Sequence, residues 1–533
     1  MLPVTSYFSV VYLAAFLPAV VILYGILPQK PRRVLLLLSG YLMFWLISGK
    51  LLVYLLLETL LIHYVGLWLA SAREEGERQR LEAPKECGKA VRRKALGRQR
   101  LILAFGVLTL IGILLVLKYG AFFITNFNRF FSLIEAPVKL DVPAFVLPIG
   151  ISFYTMQAVS YLFDVHRKKI HADTNLFRLA LYLSFFPQLM EGPICRYSET
   201  ASQLWEAPAL QWNSFLLGMQ RILWGLLKKV VVADRLNLLI RTVFNGYESY
   251  DGFAVTAAAV CYTIQLYMDF SGMMDLALGT GQIFGITLPE NFRQPFFSKT
   301  ISEFWKRWHI TLGTWFRDYI FYPLSFSGPL KKVALRGRKR FGSHYGVIPA
   351  TAVALFSVWL CNGLWHGAGW NYIFFGMYHF ALILMGNLIK PPVLWLTGRF
   401  HIDRTSAPYR GMQIVRTAVL ICIGELFFRA NGLRAGLAMV RSVIHSFSFA
   451  TLRDQSFFSF GADQKDYLIV LITLLMILSV SILHERGVSI RKWAAGKSWM
   501  VRFGLLYFLI LYIVVFGAYG DGYVPVDPIY AGF

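Results

Sequence analysis

Charge is scarce in this chain. Asp, Glu, Lys and Arg make up 15% of its 533 residues, against about a quarter in soluble domains. Cysteine is scarce too. Cys87, Cys195, Cys261, Cys361 and Cys422 are odd in number and scattered, and no pair has metal-ligand spacing. Neither a metal site nor a disulfide framework is therefore expected. Apolar–polar alternation of period two is missing, and open sheets do not span lipid, so a strand-based fold is excluded. There is no Gly-rich phosphate loop and no GxSxG nucleophile elbow, which argues against a built-in nucleotide cradle and against a covalent serine route. The lack of a visible internal repeat weighs against a transporter.

Apolar residues, by contrast, abound. They make up 56% of the chain and recur in runs near the length that crosses a bilayer. The expected fold is an all-α polytopic membrane protein, one integral domain over residues 1–533. Candidate spans are 8–27, 34–49, 51–71, 101–119, 145–163, 177–194, 213–232, 253–272, 346–364, 371–389, 412–430, 466–483 and 503–519. The net charge of +24 does not indicate nucleic acid, because the basic residues fall in short loops, as the positive-inside rule expects. The loop 73–100 is the strongest inside marker; 167–169, Lys228, Lys229, 331–340, 390–410 and 486–502 are others. The first run has no basic residue before it and Lys30, Arg32 and Arg33 after it, which predicts an extracytoplasmic N-terminus and no cleavable signal peptide. Counting back from the last span leaves the tail 521–533 outside as well. The span 346–364 then runs outward and carries His366 toward the outer half. The stretch 273–330 breaks the alternation and must cross or re-enter with irregular backbone, which survives at membrane depth only when buried in protein or lining a cavity.

His366 lies in Ser357-Val-Trp-Leu-Cys-Asn-Gly-Leu-Trp-His-Gly-Ala-Gly-Trp-Asn371, between two apolar runs. An ionisable residue there is a functional-site hypothesis; its bland counterpart is a hydrogen-bonded core histidine. A neutral imidazole can serve as a general base near neutral pH. Asn362, one turn earlier, is placed to orient the ring, although amides also bond structurally in membranes. The irregular stretch holds Asp269-Phe-Ser-Gly-Met-Met-Asp275, then Pro289-Glu-Asn-Phe-Arg-Gln-Pro-Phe-Phe-Ser298, then Glu303-Phe-Trp-Lys-Arg-Trp-His-Ile-Thr-Leu-Gly-Thr-Trp-Phe-Arg-Asp-Tyr319. Read as one helix, the last of these puts Glu303, Arg307, Trp308 and Trp315 on related faces. On spacing alone, an amphipathic interfacial helix with a structural His309 is the simpler interpretation. His379 is a third buried candidate and is taken as structural.

These blocks, together with Pro148-Ile-Gly-Ile-Ser-Phe-Tyr and Ser184-Phe-Phe-Pro-Gln-Leu-Met-Glu-Gly-Pro-Ile194, resemble the membrane-bound O-acyltransferase (MBOAT) family. The branch they look like is that of alginate O-acetylation and teichoic-acid D-alanyl transfer. The core resemblance runs over 148–430. It implies a helical bundle of about 11–13 spans and re-entrant helices around a central funnel, and transfer of an acyl group to a hydroxyl. It implies His366 as the catalytic histidine and His309 as its supporting partner, with Asp269, Asp275, Glu303, Arg307 and Trp308 around them. It further implies a thioester donor, acetyl-CoA or an acyl carrier, and no tightly bound cofactor. The implied partners are an extracytoplasmic esterase-like protein, a cell-envelope glycan and membrane lipid, at a bacterial plasma membrane. The ending Val526-Asp-Pro-Ile-Tyr-Ala-Gly-Phe533 resembles the family's aromatic tails. Tyr530 would then accept the acyl group or dock the partner; otherwise it is an interfacial anchor.

The pattern also departs from the branch. After Leu324 alginate-type members usually continue Gly-Gly-Asn-Arg, where this chain has Ser325-Phe-Ser-Gly-Pro-Leu-Lys-Lys332. That puts alginate itself in doubt as the acceptor. Met274 stands where a small polar residue is common. Acetyl transfer to an envelope polysaccharide is the expected function, with D-alanyl transfer to teichoic acid as the alternative and a transporter or channel as a remote one.

Overall fold

The computed structural model describes residues 7–519 and 523–526, and among them helix is the only extended regular element. The chain divides into two compact units. Among the described residues, the first comprises 7–219 and 277–289, the second 220–276, 290–519 and 523–526. The first unit's helices include α1 (Leu17–Ile26), α2 (Gln29–Ser48), α3 (Leu52–Glu82), α4 (Gly88–Leu133), α5 (Ile151–His166) and α6 (Leu176–Ser184). The second unit contains α7 (Asp234–Asn245), most of α8 (Gly252–Ile283), α9 (Ile301–Arg307), α10 (Ile310–Phe316) and α11 (Ile348–His366). After these come α12 (Trp370–Arg399), α13 (Ala407–Arg429), α14 (Gln464–Glu485) and α15 (Trp499–Phe516).

Among the described residues, eight helical stretches are long and apolar enough to cross a membrane. The protein is a multi-pass membrane protein. The expected spans 34–49 and 51–71 lie on α2 and α3, joined by the short turn Gly49–Leu51. The expected span 177–194 is broken: α6 stops at Ser184, a short helix covers Phe186–Leu189, and irregular backbone follows. Pro187 lacks an amide hydrogen and cannot continue a helical ladder. This broken segment is almost wholly buried.

Within the first unit, α3, α4 and α5 pack on one another. Within the second, α11 and α12 form a tight pair, and small residues set their spacing. A Cβ at Gly376 would stand 2.3 Å from the carbonyl oxygen of Trp359, and one at Gly363 would stand 2.5 Å from that of Tyr372. Glycine at both positions lets the two backbones touch. That contact fixes the end of α11, where His366 sits.

Lys228 and Lys229, read from sequence as inside markers, are buried. They lie in a π-helical turn, Leu227–Ala233, that precedes α7, and their side chains are 9% and 5% exposed. Both are held in ion pairs. They therefore carry no weight as loop charges.

Candidate active site

The stretch expected to be one helix from Glu303 is two. α9 ends at Arg307, Trp308 is extended, and His309 adopts the left-handed region at φ 45° before α10 starts. That conformation costs an L-residue about 1–2 kcal/mol, although His tolerates it better than most. Side chains sparsely tolerated in a region persist where their surroundings over-determine them, commonly at functional sites.

Asn291 is what over-determines His309. Its Oδ1 accepts from the Thr311 amide at 3.0 Å and from the Thr311 hydroxyl at 3.0 Å. Its main-chain oxygen accepts from Ile310 at 3.0 Å. The Thr311 amide can only donate, so the Asn291 oxygen is identified without ambiguity. Its Nδ2 accordingly points at Met274 Sδ, 3.0 Å away, a weak acceptor. His309 Nδ1 lies 3.2 Å from the same Oδ1. It must carry the hydrogen, because two acceptors do not bond. The neutral ring then has its lone pair on Nε2. Burial alone pushes the His309 imidazole down to about 3, so the ring is neutral at physiological pH.

His366 is the last residue of α11 and is 6% exposed. Aromatic edges hold it: Phe428 of α13 at 5.0 Å and Phe375 of α12 at 5.7 Å between ring centroids. Trp365 joins the two histidines. Its ring centroid is 5.0 Å from His366 and 5.5 Å from His309. Phe270 of α8 closes the other side of His309 at 4.8 Å. The outcome is two imidazoles in an apolar aromatic wall, both beside one indole. Such a wall excludes water and leaves charges and dipoles within it weakly screened.

The remaining expected residues fall elsewhere. Asn362 is buried one turn before His366, but makes no hydrogen bond to it, and its Oδ1 has no partner among the described residues. Phe375 and Phe428 flank the His366 ring. Asp269 pairs with Lys229 at 2.8 Å. Asp275 pairs with Lys228 at 2.7 Å and Arg221 at 3.0 Å. Glu303 caps its own helix, accepting from Lys299 N at 3.0 Å, and pairs with Arg307 at 2.9 Å. Arg307 also reaches Glu485 at 2.6 Å. Trp308 stacks on Phe304 at 5.4 Å. Asp269, Asp275, Glu303, Arg307 and Trp308 build the scaffold around the histidine pair. Tyr530 lies outside the described residues.

His379 is fully buried, and its Nδ1 accepts from Trp305 Nε1 at 3.3 Å. It shares Phe375 with His366, at 4.6 Å, so it supports the wall. Sequence reasoning missed Asn291 as the hub, although it stands in the PENF block. It also missed two buried carboxylates, Glu58 in the first unit and Glu425 in the second. Thr155 Oγ1 donates to Glu58 at 2.9 Å. Glu425 lies beside Thr263 on α13, one turn before Phe428. An acidic residue inside an apolar run was the available signal for both.

The description "MBOAT, membrane-bound O-acyltransferase family" matches residues 101–336, a stretch that contains His309 and stops short of His366. A probable alginate O-acetylase of Pseudomonas aeruginosa is 32% identical over 83% of this chain and 75% of its own length. A peptidoglycan O-acetyltransferase of Helicobacter pylori is 29% identical over 65% of each chain. A teichoic acid D-alanyltransferase of Bacillus subtilis is 30% identical over 45% of this chain and 59% of its own length. With an architecture of membrane helices and a paired-histidine site behind it, this chain belongs to the membrane-bound O-acyltransferase family and is a multi-pass acyltransferase.

Proposed function

We propose that this enzyme O-acetylates a cell-envelope polysaccharide at a bacterial plasma membrane, taking the acetyl group from a cytoplasmic thioester and handing it to the outer face. The observation that carries the reading is the convergence of His309 and His366 on Trp365. His366 takes the proton of the acceptor hydroxyl. The oxygen attacks the thioester carbonyl, the carbon–sulfur bond breaks, and the proton passes to the departing thiolate. The products are an ester and a free thiol, so atoms and charge balance. His309, with Nδ1–H held by Asn291, offers Nε2 as an acceptor that orients the hydroxyl. In this proposal Asn362 and the charged residues around the pair act through structure.

The donor is acetyl-CoA, the acceptor an exopolysaccharide or cell-wall hydroxyl, and an extracytoplasmic esterase-like protein completes delivery. Both termini are extracytoplasmic. Tyr530 is proposed to carry the acyl group between the histidine pair and that partner. The similarity to the alginate and peptidoglycan O-acetylating relatives favours acetyl. The shorter similarity to a D-alanyltransferase favours the second reading, D-alanyl from a carrier protein. Mass spectrometry of the purified protein after incubation with either donor separates them. A mass gain of about 42 Da, the acetyl increment by formula, on Tyr530 with acetyl-CoA and its absence in His366→Ala is the expected result. A mark that forms only with an aminoacylated carrier would replace acetyl by D-alanyl. No mark with either would remove Tyr530 from the route.

A further inference from the structure

We propose that Lys229, Asp234 and Asn237 form a clamp that seats the main chain of residues 524–526 in the second unit. The Val526 amide donates to Asp234 Oδ1 at 2.7 Å, and the Val526 carbonyl accepts from Lys229 Nζ at 2.8 Å. Lys229 Nζ and Asp234 Oδ1 are themselves 2.9 Å apart. One residue's two main-chain groups are thus read by an ion pair that closes on itself. Asn237 Nδ2 extends the contact to the Val524 carbonyl at 2.8 Å. One residue along the same helix, Arg235 donates to the Tyr523 hydroxyl at 3.0 Å, with Asp466 also bonded to that hydroxyl at 2.9 Å.

Three features make this a built site. First, its charges are buried: the Lys229 and Asp234 side chains are 5% and 7% exposed. Buried charges persist only when paired and fully bonded, and here the segment's backbone supplies part of that bonding. Second, the bonds are to main chain, so the clamp fixes position and direction and is indifferent to the side chains at 524 and 526. Third, Lys229 and the residues before Asp234 occupy a π-helical turn, a local rearrangement frequent at functional sites.

Asp269 neutralises Lys229 from the opposite side at 2.8 Å. Its neighbour in sequence, Phe270, packs on His309. The clamp and the histidine pair therefore share consecutive residues of α8. Three residues separate Val526 from Tyr530, so covalent geometry keeps the Cα of that tyrosine within about 14 Å of the Cα of Val526. The clamp is a tether that meters how far Tyr530 can travel. That consequence rests on the acyl-relay reading above; the clamp itself does not.

Chymotryptic release of residues 524–533 from the full-length protein in detergent, read by intact mass, tests the clamp without any donor. Cleavage after Tyr523 needs the segment lifted from its seat. Asp234→Ala leaves Lys229 paired with Asp269, so no buried charge is stranded. Val526→Pro deletes the donated hydrogen and alters no core side chain, which keeps the test valid should Asp234→Ala misfold. Release at least tenfold faster in both variants, with Val526→Ala at the wild-type rate and an unchanged thermal midpoint for Val526→Pro, is expected. Release at the wild-type rate in Asp234→Ala and Val526→Pro would overturn the clamp. An intact clamp with no acyl mark on Tyr530 would sink the relay and leave the clamp standing.

Discussion

Asn291→Ala should disable the enzyme nearly as far as loss of His309 does, although Asn291 touches no reacting atom. Its Oδ1 serves three buried donors: His309 Nδ1, the Thr311 amide and the Thr311 hydroxyl. A buried donor left without an acceptor costs about 1–3 kcal/mol. The Thr311 hydroxyl can rotate to another acceptor, so two donors dominate and the local loss is about 2–6 kcal/mol. Part of it is a capping loss, because His309 supplies no side-chain cap to α10 and Asn291 bonds that first turn in its place. The catalytic cost has a separate origin. The Asn291 bond selects the tautomer with the lone pair on Nε2, and a preference of about 1.4 kcal/mol is a factor of ten in population. Removing it lowers the competent fraction by about tenfold before any displacement of the ring is counted. The assay is the initial rate of acyl transfer in membranes, normalised to protein abundance, for Asn291→Ala, His309→Ala and the double variant. A double variant no worse than His309→Ala is expected, since the two residues act as one unit. A wild-type rate for Asn291→Ala alongside an inactive His309→Ala would refute the tautomer reasoning.

Other perturbations separate scaffold from chemistry. Asp275→Leu strands the buried Lys228, while Arg221 keeps Glu290 at 2.6 Å, and should cost about 3–5 kcal/mol, read as lost membrane accumulation and a lower thermal midpoint. Gly376→Ala drives a Cβ against the Trp359 carbonyl and should cost about 1–3 kcal/mol with reduced activity, whereas Gly386→Ala meets open space and should leave both unchanged. His309 also predicts an acid limb in stability. Its folded value of about 3 lies below the ordinary 6.5, so the unfolded chain binds the extra proton. The stability this contributes is complete above pH 6.5 and is lost as pH falls toward 3. Urea titrations between those limits should show a shallower slope in His309→Gln than in wild type.

Much of the fold was legible because lipid imposes a simple rule: apolar runs near bilayer length become helices. The runs at 346–364 and 371–389 lie on α11 and α12. What the rule could not show is where a helix yields. The break at Trp308–His309 follows from Asn291, 18 residues away in sequence, and no local pattern encodes that bond. Lys228 and Lys229 misled for a related reason. A charge pair inside a helix looks like a loop marker until its partners, Asp275 on one side and Asp234 and Asp269 on the other, are known. The histidines were legible as motif residues. Their meeting on Trp365 was not, because it depends on the glycine-lined contact of α11 with α12. Asn362 was a reasonable guess from helical spacing, but it makes no hydrogen bond to His366, whose ring is flanked by Phe375 and Phe428.

The most direct measurement is abundance-normalised transfer of labelled acetyl from a thioester donor to envelope glycan in membranes, comparing wild type, His366→Ala and His379→Ala. General-base catalysis contributes about 10²–10⁴-fold. A loss of that size is expected in His366→Ala at wild-type protein levels, with a much smaller loss in His379→Ala. His366→Ala protein that accumulates normally and still transfers acetyl at the wild-type rate would contradict its assignment as the base.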